Sequence, residues 1–232
     1  TPDFFPHLLQ TLVWADVSFL SDAPGKNSGS DGLGGGGEST YQLIDAVRNA
    51  RESVLIQSPY LILPEGGIEL LGELTNKGVR VQISTNSLAS TDNIQAFSGY
   101  QRQRQDILKA GVEIYEFMPE PNSHAQLVER YDRISHYAPV FGLHAKSMVI
   151  DGEIVFIGTF NLDPRSANLN TEVGMLARDR ELARQVTESI ETDMLPGNSW
   201  PTTLDFNPDF TVRRTKRFRT WINRLLPLDP IL

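Results

Sequence analysis

Residues 143–161 read LHAKSMVIDGEIVFIGTFN, in which two apolar runs are separated by Asp151-Gly152. Asp-Gly between apolar runs is a strong signal for a two-residue β-hairpin turn. The sequence therefore predicts two antiparallel strands, 143–150 and 153–158, joined by this turn.

The hairpin predicts a group of polar side chains on one face. Pairing across a two-residue turn puts Lys146 opposite Ile157 and His144 opposite Thr159. Side chains alternate between the two faces of a strand, so His144, Lys146, Thr159 and Asn161 are expected to project together. An imidazole, a cation and an amide donor in one place suit a phosphate group.

Each residue type has a chemical reason to be there. A neutral imidazole can attack phosphorus and form a phosphohistidine, and an imidazolium can protonate a departing alkoxide. Lys146 and Asn161 can donate to the non-bridging oxygens of the phosphate. Taken alone, His144 is more simply a core residue, Lys146 a solvated lysine and Asn161 a loop or cap residue. Their common spacing is what favours the catalytic interpretation.

His144-Ala-Lys146, Asp151 and Gly158-Thr-Phe-Asn161 together resemble the HKD motif of the phospholipase D superfamily. The resemblance implies an α/β fold, a phospholipase D-like α/β/α sandwich with a mixed central sheet flanked by helices. It implies that His144, Lys146, Asn161 and Glu172 are catalytic, and that Glu172 accepts a hydrogen bond from the imidazole. That family uses two motifs per active site, whereas this sequence contains one, which indicates a half-site.

The flanking sequence is similar to bacterial cardiolipin synthases, in particular the C-terminal half of the C-type group. The matching segments include Gln57-Ser-Pro-Tyr-Leu61, Gly111-Val-Glu-Ile-Tyr115 and Asn161-Leu-Asp-Pro-Arg-Ser166. By this resemblance, supporting roles fall to Asp151 (as a turn residue), Gly158, Thr159, Arg165 and Ser166. The substrate pocket would be lined or supported by Ser58, Tyr60, Asn86 and Tyr100.

Alternating strand and helix patterns outside the hairpin are typical of an α/β sheet. Helices are expected at 39–51, 67–77, 93–110 and 180–194, and further strands at 53–58, 79–85, 112–117 and 172–177. We expect three regions: residues 1–38, an N-terminal segment that ends in a Gly-rich linker; residues 39–200, the phospholipase D-like domain; and residues 201–232, a basic amphipathic tail. The polar loop 119–139 is longer than ordinary connections.

Charge is distributed unevenly along the chain. Residues 1–212 carry 15 Lys and Arg against 28 Asp and Glu, whereas residues 213–232 carry six basic residues and only Asp229. An acidic body argues against nucleic acid as a partner. In the tail, Phe218, Trp221, Ile222 and Leu225 form an apolar stripe at helical spacing among Arg214, Lys216, Arg217, Arg219 and Arg224. We expect this tail to bind an anionic membrane surface; the alternative is that its apolar residues dock on the domain.

The resemblance to cardiolipin synthases implies a phosphatidyltransferase of that type, and together with the basic tail it implies a position peripheral at the bacterial cytoplasmic membrane. Its expected partners are phospholipid substrates, namely phosphatidylglycerol with phosphatidylethanolamine as an open second candidate, and the missing HKD half from a longer parent chain or a second copy. No metal or cofactor is expected. Two alternatives stay open: a single-motif homodimeric phosphodiesterase or nuclease, and an isolated half-domain that is inactive alone.

Overall fold

A computed structural model of the chain describes residues 12, 14–26, 33–125, 129, 140–226 and 231. Eight strands form one sheet: β1 (Asp16–Ser21), β2 (Ser53–Gln57), β3 (Arg80–Asn86), β4 (Glu113–Phe117), β5 (Ser147–Ile150), β6 (Ile154–Gly158), β7 (Val173–Arg178) and β8 (Ser199–Thr202). The α-helices of the described residues are α1 (Glu38–Arg48), α2 (Gly67–Asn76), α3 (Ile94–Lys109), α4 (Pro164–Asn168), α5 (Arg180–Met194) and α6 (Arg214–Arg224).

The strand order is β1-β7-β6-β5-β2-β3-β4-β8, with β2, β3 and β4 parallel and the other neighbours antiparallel. The predicted mixed α/β sheet is therefore confirmed. Strand β1 forms one edge of the sheet and overlaps the apolar stretch 4–20, where an extra strand or a short helix is expected. Strand β8 lies outside the predicted set and has a proline inside it, which is tolerated at an edge.

Alternation along the strands divides the apolar residues between two helical layers. On one face, Ile56, Ile83, Met148 and Phe156 pack with α1, α2 and α3. On the other face, Leu55, Val149 and Val155 pack beneath α5 through Ala183 and Ile190. The sandwich follows directly from the period of two in these strands.

The hairpin register differs from the prediction by one residue. Asp151 and Gly152 both have positive φ values, 53° and 60°, as a primed turn requires. Glu153 is an additional loop residue, and Ile150 pairs with Ile154. The Glu153 carbonyl accepts a hydrogen bond from the Asp179 backbone N–H, an interaction with a distant segment that the turn sequence does not encode.

Several element boundaries also differ. The first helix runs from Glu38 to Arg48, with Gly37 as its N-cap, and not over the expected 39–51. The Thr40 hydroxyl donates to the Ala167 carbonyl at 2.7 Å. The short helix α4 lies where no helix was predicted. Residues 126–128 and 130–139 of the long loop, and residues 1–11 of the N-terminal stretch, lie outside the described residues.

The basic tail forms helix α6, which packs against α3. Thr220 is fully buried there, and the Arg102 guanidinium donates to the carbonyls of Arg224 and Leu226, both at 2.7 Å. One basic residue of the predicted charged face points inward, because Lys216 Nζ donates to the Thr91 carbonyl at 3.4 Å. Burial lowers the pKa of Lys216. The end of the tail, 227–230 and 232, lies outside the described residues.

Candidate functional site

The predicted site residues lie at the end of the sheet where β2 ends and β5 begins. His144 and Lys146 precede β5, and the Gly158 N–H donates to the Lys146 carbonyl at 3.1 Å, so Lys146 is opposite Gly158 and not Ile157. The His144 side chain is exposed, and both residues line an open cleft of about 440 Å³ that also contains Ile157 and residues of α5. A large substrate can therefore reach the imidazole.

A buried amide fixes the chain immediately before the histidine. Asn86 Nδ2 donates to the Leu143 carbonyl and Asn86 Oδ1 accepts from the Leu143 N–H, both at 2.8 Å. The same side chain accepts from the Ser90 hydroxyl at 3.1 Å and donates to the Pro59 carbonyl at 3.2 Å. Asn86 is 3% exposed, so in this structure it bonds the backbone next to His144 and does not face solvent.

Lys146 is half-buried and surrounded by acidic groups. Burial lowers its pKa, and the nearby carboxylates of Glu172, Asp163 and Asp92 oppose that shift. Lys146 Nζ donates to the His144 carbonyl at 2.9 Å. The ammonium thus retains donor capacity for a phosphate and lies in a desolvated position where its charge is effective.

The segment that carries Asn161 is held by two serines. The Asn161 N–H donates to Ser166 Oγ at 3.2 Å, and the Leu162 N–H donates to Ser58 Oγ at 3.0 Å. Among the described residues, Asn161 Oδ1 is buried with no hydrogen-bond partner. This amide oxygen can pair only with a donor such as a ligand hydroxyl, whereas a phosphate oxygen would accept from the Asn161 Nδ2 group.

Asp163 is a site residue that the sequence reading missed. It caps α4 by accepting from the Ser166 N–H at 2.6 Å. Burial raises its pKa, with Glu172 adding to the shift, while the Ser166 N–H and the Asn161 side chain oppose it. Asp followed by Pro at the first position of a helix is a recognisable N-cap signal, and it could have been found.

Glu172 does not make the expected bond to the imidazole in this structure. Its carboxylate accepts a short hydrogen bond from the Thr159 hydroxyl, and it is 3% exposed. Within the described part of the chain, the His144 imidazole has no hydrogen-bond partner. The shifted register explains the difference, because Thr159 lies beside β7 and not opposite His144.

A buried ion pair that the sequence reading also missed holds Glu172 and α4 in place. Lys26 Nζ contacts Asp22 Oδ2 and the Ser166 carbonyl, each at 2.7 Å, with both side chains almost fully buried. Asp22 accepts the backbone N–H of Glu172 at 3.0 Å and that of Ser39 at 2.9 Å. Burial alone would raise the pKa of Asp22, but the bonds from Lys26 and from these N–H groups outweigh it and lower the pKa.

The turn and glycine positions have structural roles. The Asp151 carboxylate accepts the backbone N–H groups of Arg51, Glu52 and Ser53, which ties the hairpin to the start of β2, as the turn interpretation predicts. An added Cβ at Gly158 would collide with the Val173 carbonyl. Gly158 therefore permits close pairing of β6 with β7 beside the site.

The other predicted pocket residues fall into different positions. Tyr60 is partly exposed and donates to Asp92 at 3.1 Å; burial, with Asp92, raises its pKa to about 12. Arg165 is exposed and donates to Asn170 at 3.1 Å. Tyr100 is fully buried with its hydroxyl on Glu116 at 2.9 Å, so of its two expected roles only support of the pocket, and not lining it, agrees with this position. It is a core residue of α3.

No group of three or more potential metal-ligating His, Cys, Asp or Glu side chains occurs within the described ranges. In those same residues, no helix is long and apolar enough to cross a membrane.

The family profile described as "Cardiolipin synthase, PLD-like domain" matches residues 43–194. This range contains His144, Lys146, Asn161 and Glu172. The chain belongs to this phospholipase D-like family. It is 37% identical over 186 residues to cardiolipin synthase C of Escherichia coli (strain K12), with 79% of this chain and 38% of that protein aligned. The chain thus spans about two fifths of that relative's length.

Solved structures of phospholipase D-like proteins share the fold. Phosphatidylserine synthase of Haemophilus influenzae superposes with a TM-score of 0.61 at 15% identity, covering 93% of this chain and 48% of that one. The phospholipase D family member Nuc of Salmonella typhimurium superposes with a TM-score of 0.56 at 15% identity, covering 81% of this chain and 99% of that one. These likenesses establish the fold alone.

Proposed function

We propose that this chain supplies one HKD half-site of a phosphatidyltransferase that makes cardiolipin. The observation that carries the proposal is the position of His144, exposed at the sheet end next to the half-buried Lys146, in a chain that belongs to the cardiolipin synthase-like family.

The reaction requires two histidines acting in turn. One neutral imidazole attacks the phosphorus of a phosphatidyl donor, and the donor's alkoxide leaves with a proton from the second imidazolium. The hydroxyl of phosphatidylglycerol then attacks the phosphohistidine, loses its proton to the second imidazole and restores the first. With phosphatidylglycerol as donor as well, the products are cardiolipin and glycerol. Lys146 and Asn161 stabilise the charge on the non-bridging oxygens.

His144 takes one of these roles, and the partner half supplies the other. An apolar part of the sheet next to the site is a suitable surface for that half. Phe19, Met175 and Ile157 lie side by side on neighbouring strands and are 71%, 50% and 45% exposed. Exposed contiguous apolar residues beside an incomplete site indicate a protein contact. The missing half comes from a longer parent chain or from a second copy.

The test compares this chain with the longer parent protein on labelled phosphatidylglycerol, with and without phosphatidylethanolamine. We expect the parent to form labelled cardiolipin, and we expect His144→Ala to abolish product. Lys77→Ala, at an exposed lysine of the helix α2 terminus, is the control for Lys146→Ala. Full activity in the parent carrying His144→Ala would contradict the proposal. Transfer by this chain as a monomer would refute the half-site part alone.

We also propose that α6 binds an anionic membrane surface, which makes the protein peripheral at the bacterial cytoplasmic membrane. Phe218, Trp221, Ile222 and Leu225 are 59%, 52%, 43% and 65% exposed, so the apolar stripe is not docked on the domain. Exposed arginines surround it, each contributing about 1 kcal/mol near anionic lipid. Deletion of residues 213–232 should reduce sedimentation with anionic liposomes, and binding by the intact chain should weaken as salt rises. Binding that is unchanged by the deletion would remove the tail from this proposal.

A nuclease is the second candidate function. The superposition with Nuc covers 99% of that solved chain, which therefore has the size of one such unit. The net charge of −13 over residues 1–212, by the counts above, opposes binding of a polyanion. Cleavage of DNA in EDTA at low salt, lost in His144→Ala, would favour this candidate over lipid transfer.

A further inference from the structure

A second cavity lies between helices α1 and α2, over the centre of the sheet. Its volume is about 220 Å³. The floor is formed by Ile56, Met148 and Phe156, and the walls include Val47 of α1 and Leu70 of α2. The cavity is open to solvent, because exposed residues such as Ile44, Arg48 and Glu65 contribute to its lining. A concave, mostly apolar pocket of this kind is the usual form of a ligand site.

Three polar side chains at the cavity wall have their hydrogen bonds elsewhere, and the charged lining residues, Arg48 and Glu65, are exposed to solvent. The Thr40 hydroxyl donates to the Ala167 carbonyl at 2.7 Å, the Ser58 hydroxyl to the Tyr60 carbonyl at 2.7 Å, and Gln57 Nε2 to Asp193 at 2.9 Å. An ordered water needs two to four polar partners, and apolar cavities that lack them take apolar guests. The lining therefore suits a hydrocarbon.

One end of the cavity is formed by chain neighbours of the candidate catalytic residues. Ser147, which follows Lys146, and Phe160, which precedes Asn161, both contribute to the lining. Gln57 pairs directly with Ser147 at the same end of the sheet. Met148 of the cavity floor is two residues from Lys146, so the two side chains lie on the same face of the sheet, and a molecule with its phosphate at Lys146 has the cavity beside it.

We infer that this cavity binds an acyl chain of the phospholipid whose phosphate occupies the Lys146 and Asn161 position. The inference rests on the proposed function and deepens it, because it assigns a site to the hydrocarbon part of the substrate. Occupancy by a chain would fill the gap between α1 and α2 and remove the hydrocarbon from water.

The experiment measures binding of inorganic phosphate and of butyl, hexyl and octyl phosphate, below their micelle concentrations, to the full chain by calorimetry. Each methylene group that enters the cavity should strengthen binding about fourfold. Leu70→Trp fills the cavity from α2 and should flatten this dependence while leaving inorganic phosphate unchanged. Val47→Phe, on the opposite wall, is the second variant, and Glu69→Trp, exposed on the same helix, is the matched control.

Chain-length dependence that persists in both filling variants would overturn the inference and point to another apolar surface, such as the stripe on α6. An unmodified chain whose affinity does not depend on chain length would also overturn the inference. In that case, if Lys146→Ala abolishes phosphate binding, the proposed function still stands. If Lys146→Ala binds every probe as tightly as the unmodified chain does, the phosphate position fails, and the proposed function fails with the inference.

Discussion

Substitution of Asn86 by Ala tests whether this buried amide holds the histidine in place. The change removes both partners of the Leu143 backbone, the acceptor for its N–H and the donor to its carbonyl. Leu143 is 7% exposed, so water does not readily replace them. Each buried group left unsatisfied costs about 1–3 kcal/mol, which gives about 2–6 kcal/mol for the two. For a chain of this size, 2 kcal/mol corresponds to a fall in Tm of about 4–8 °C.

Urea unfolding and thermal melts give the stability loss, and calorimetry with inorganic phosphate gives the effect on the site. Asn86→Asp separates the two bonds, because it keeps the acceptor for the Leu143 N–H and loses the donor to the carbonyl. Asn76→Ala, at the exposed end of α2, is the control and should be nearly neutral. If Asn86→Ala unfolds within about 0.5 kcal/mol of the unmodified chain and binds phosphate equally well, Asn86 does not position His144.

Three further outcomes are expected. The pKa of Asp22 is lowered below 3.8 in the folded state, so its contribution to stability is present above pH 3.8 and is lost as the pH falls through the folded value. Asp22→Asn should therefore lose less unfolding free energy on acidification, measured by urea titrations at pH 2–6. An identical pH profile for the two proteins would contradict the buried pair. Gly174→Ala should destabilise by about 1–3 kcal/mol in the same assay, because the added Cβ meets the Phe156 ring, and a neutral result would show that this ring can shift aside without cost. Phosphate affinity should fall as the pH rises through the lowered pKa of Lys146, whereas Lys146→Arg should keep its affinity to higher pH; parallel profiles would exclude Lys146 as the phosphate ligand.

The sequence alone determined the fold class, and it predicted the candidate site residues. Residue periodicity gave the strands and helices of the core, because alternation in strands and spacing in helices reflect which side chains must be buried. The Asp151-Gly152 turn predicted the hairpin, and the His144 and Lys146 spacing predicted phosphate chemistry. Each of these signals lies within one short stretch of the chain, where local geometry and composition decide the outcome.

Tertiary structure alone decided how the site is assembled. The hairpin register depends on Glu153 bonding to Asp179, and the position of Glu172 depends on Asp22, 150 residues away in the chain. Tyr100 is in the core because Glu116, on a neighbouring strand, accepts its hydroxyl. Contacts of this kind join segments that periodicity treats independently, since a buried polar group takes whichever partner packing brings within reach. The sequence could name the catalytic residue types, but the packed sheet selected their partners.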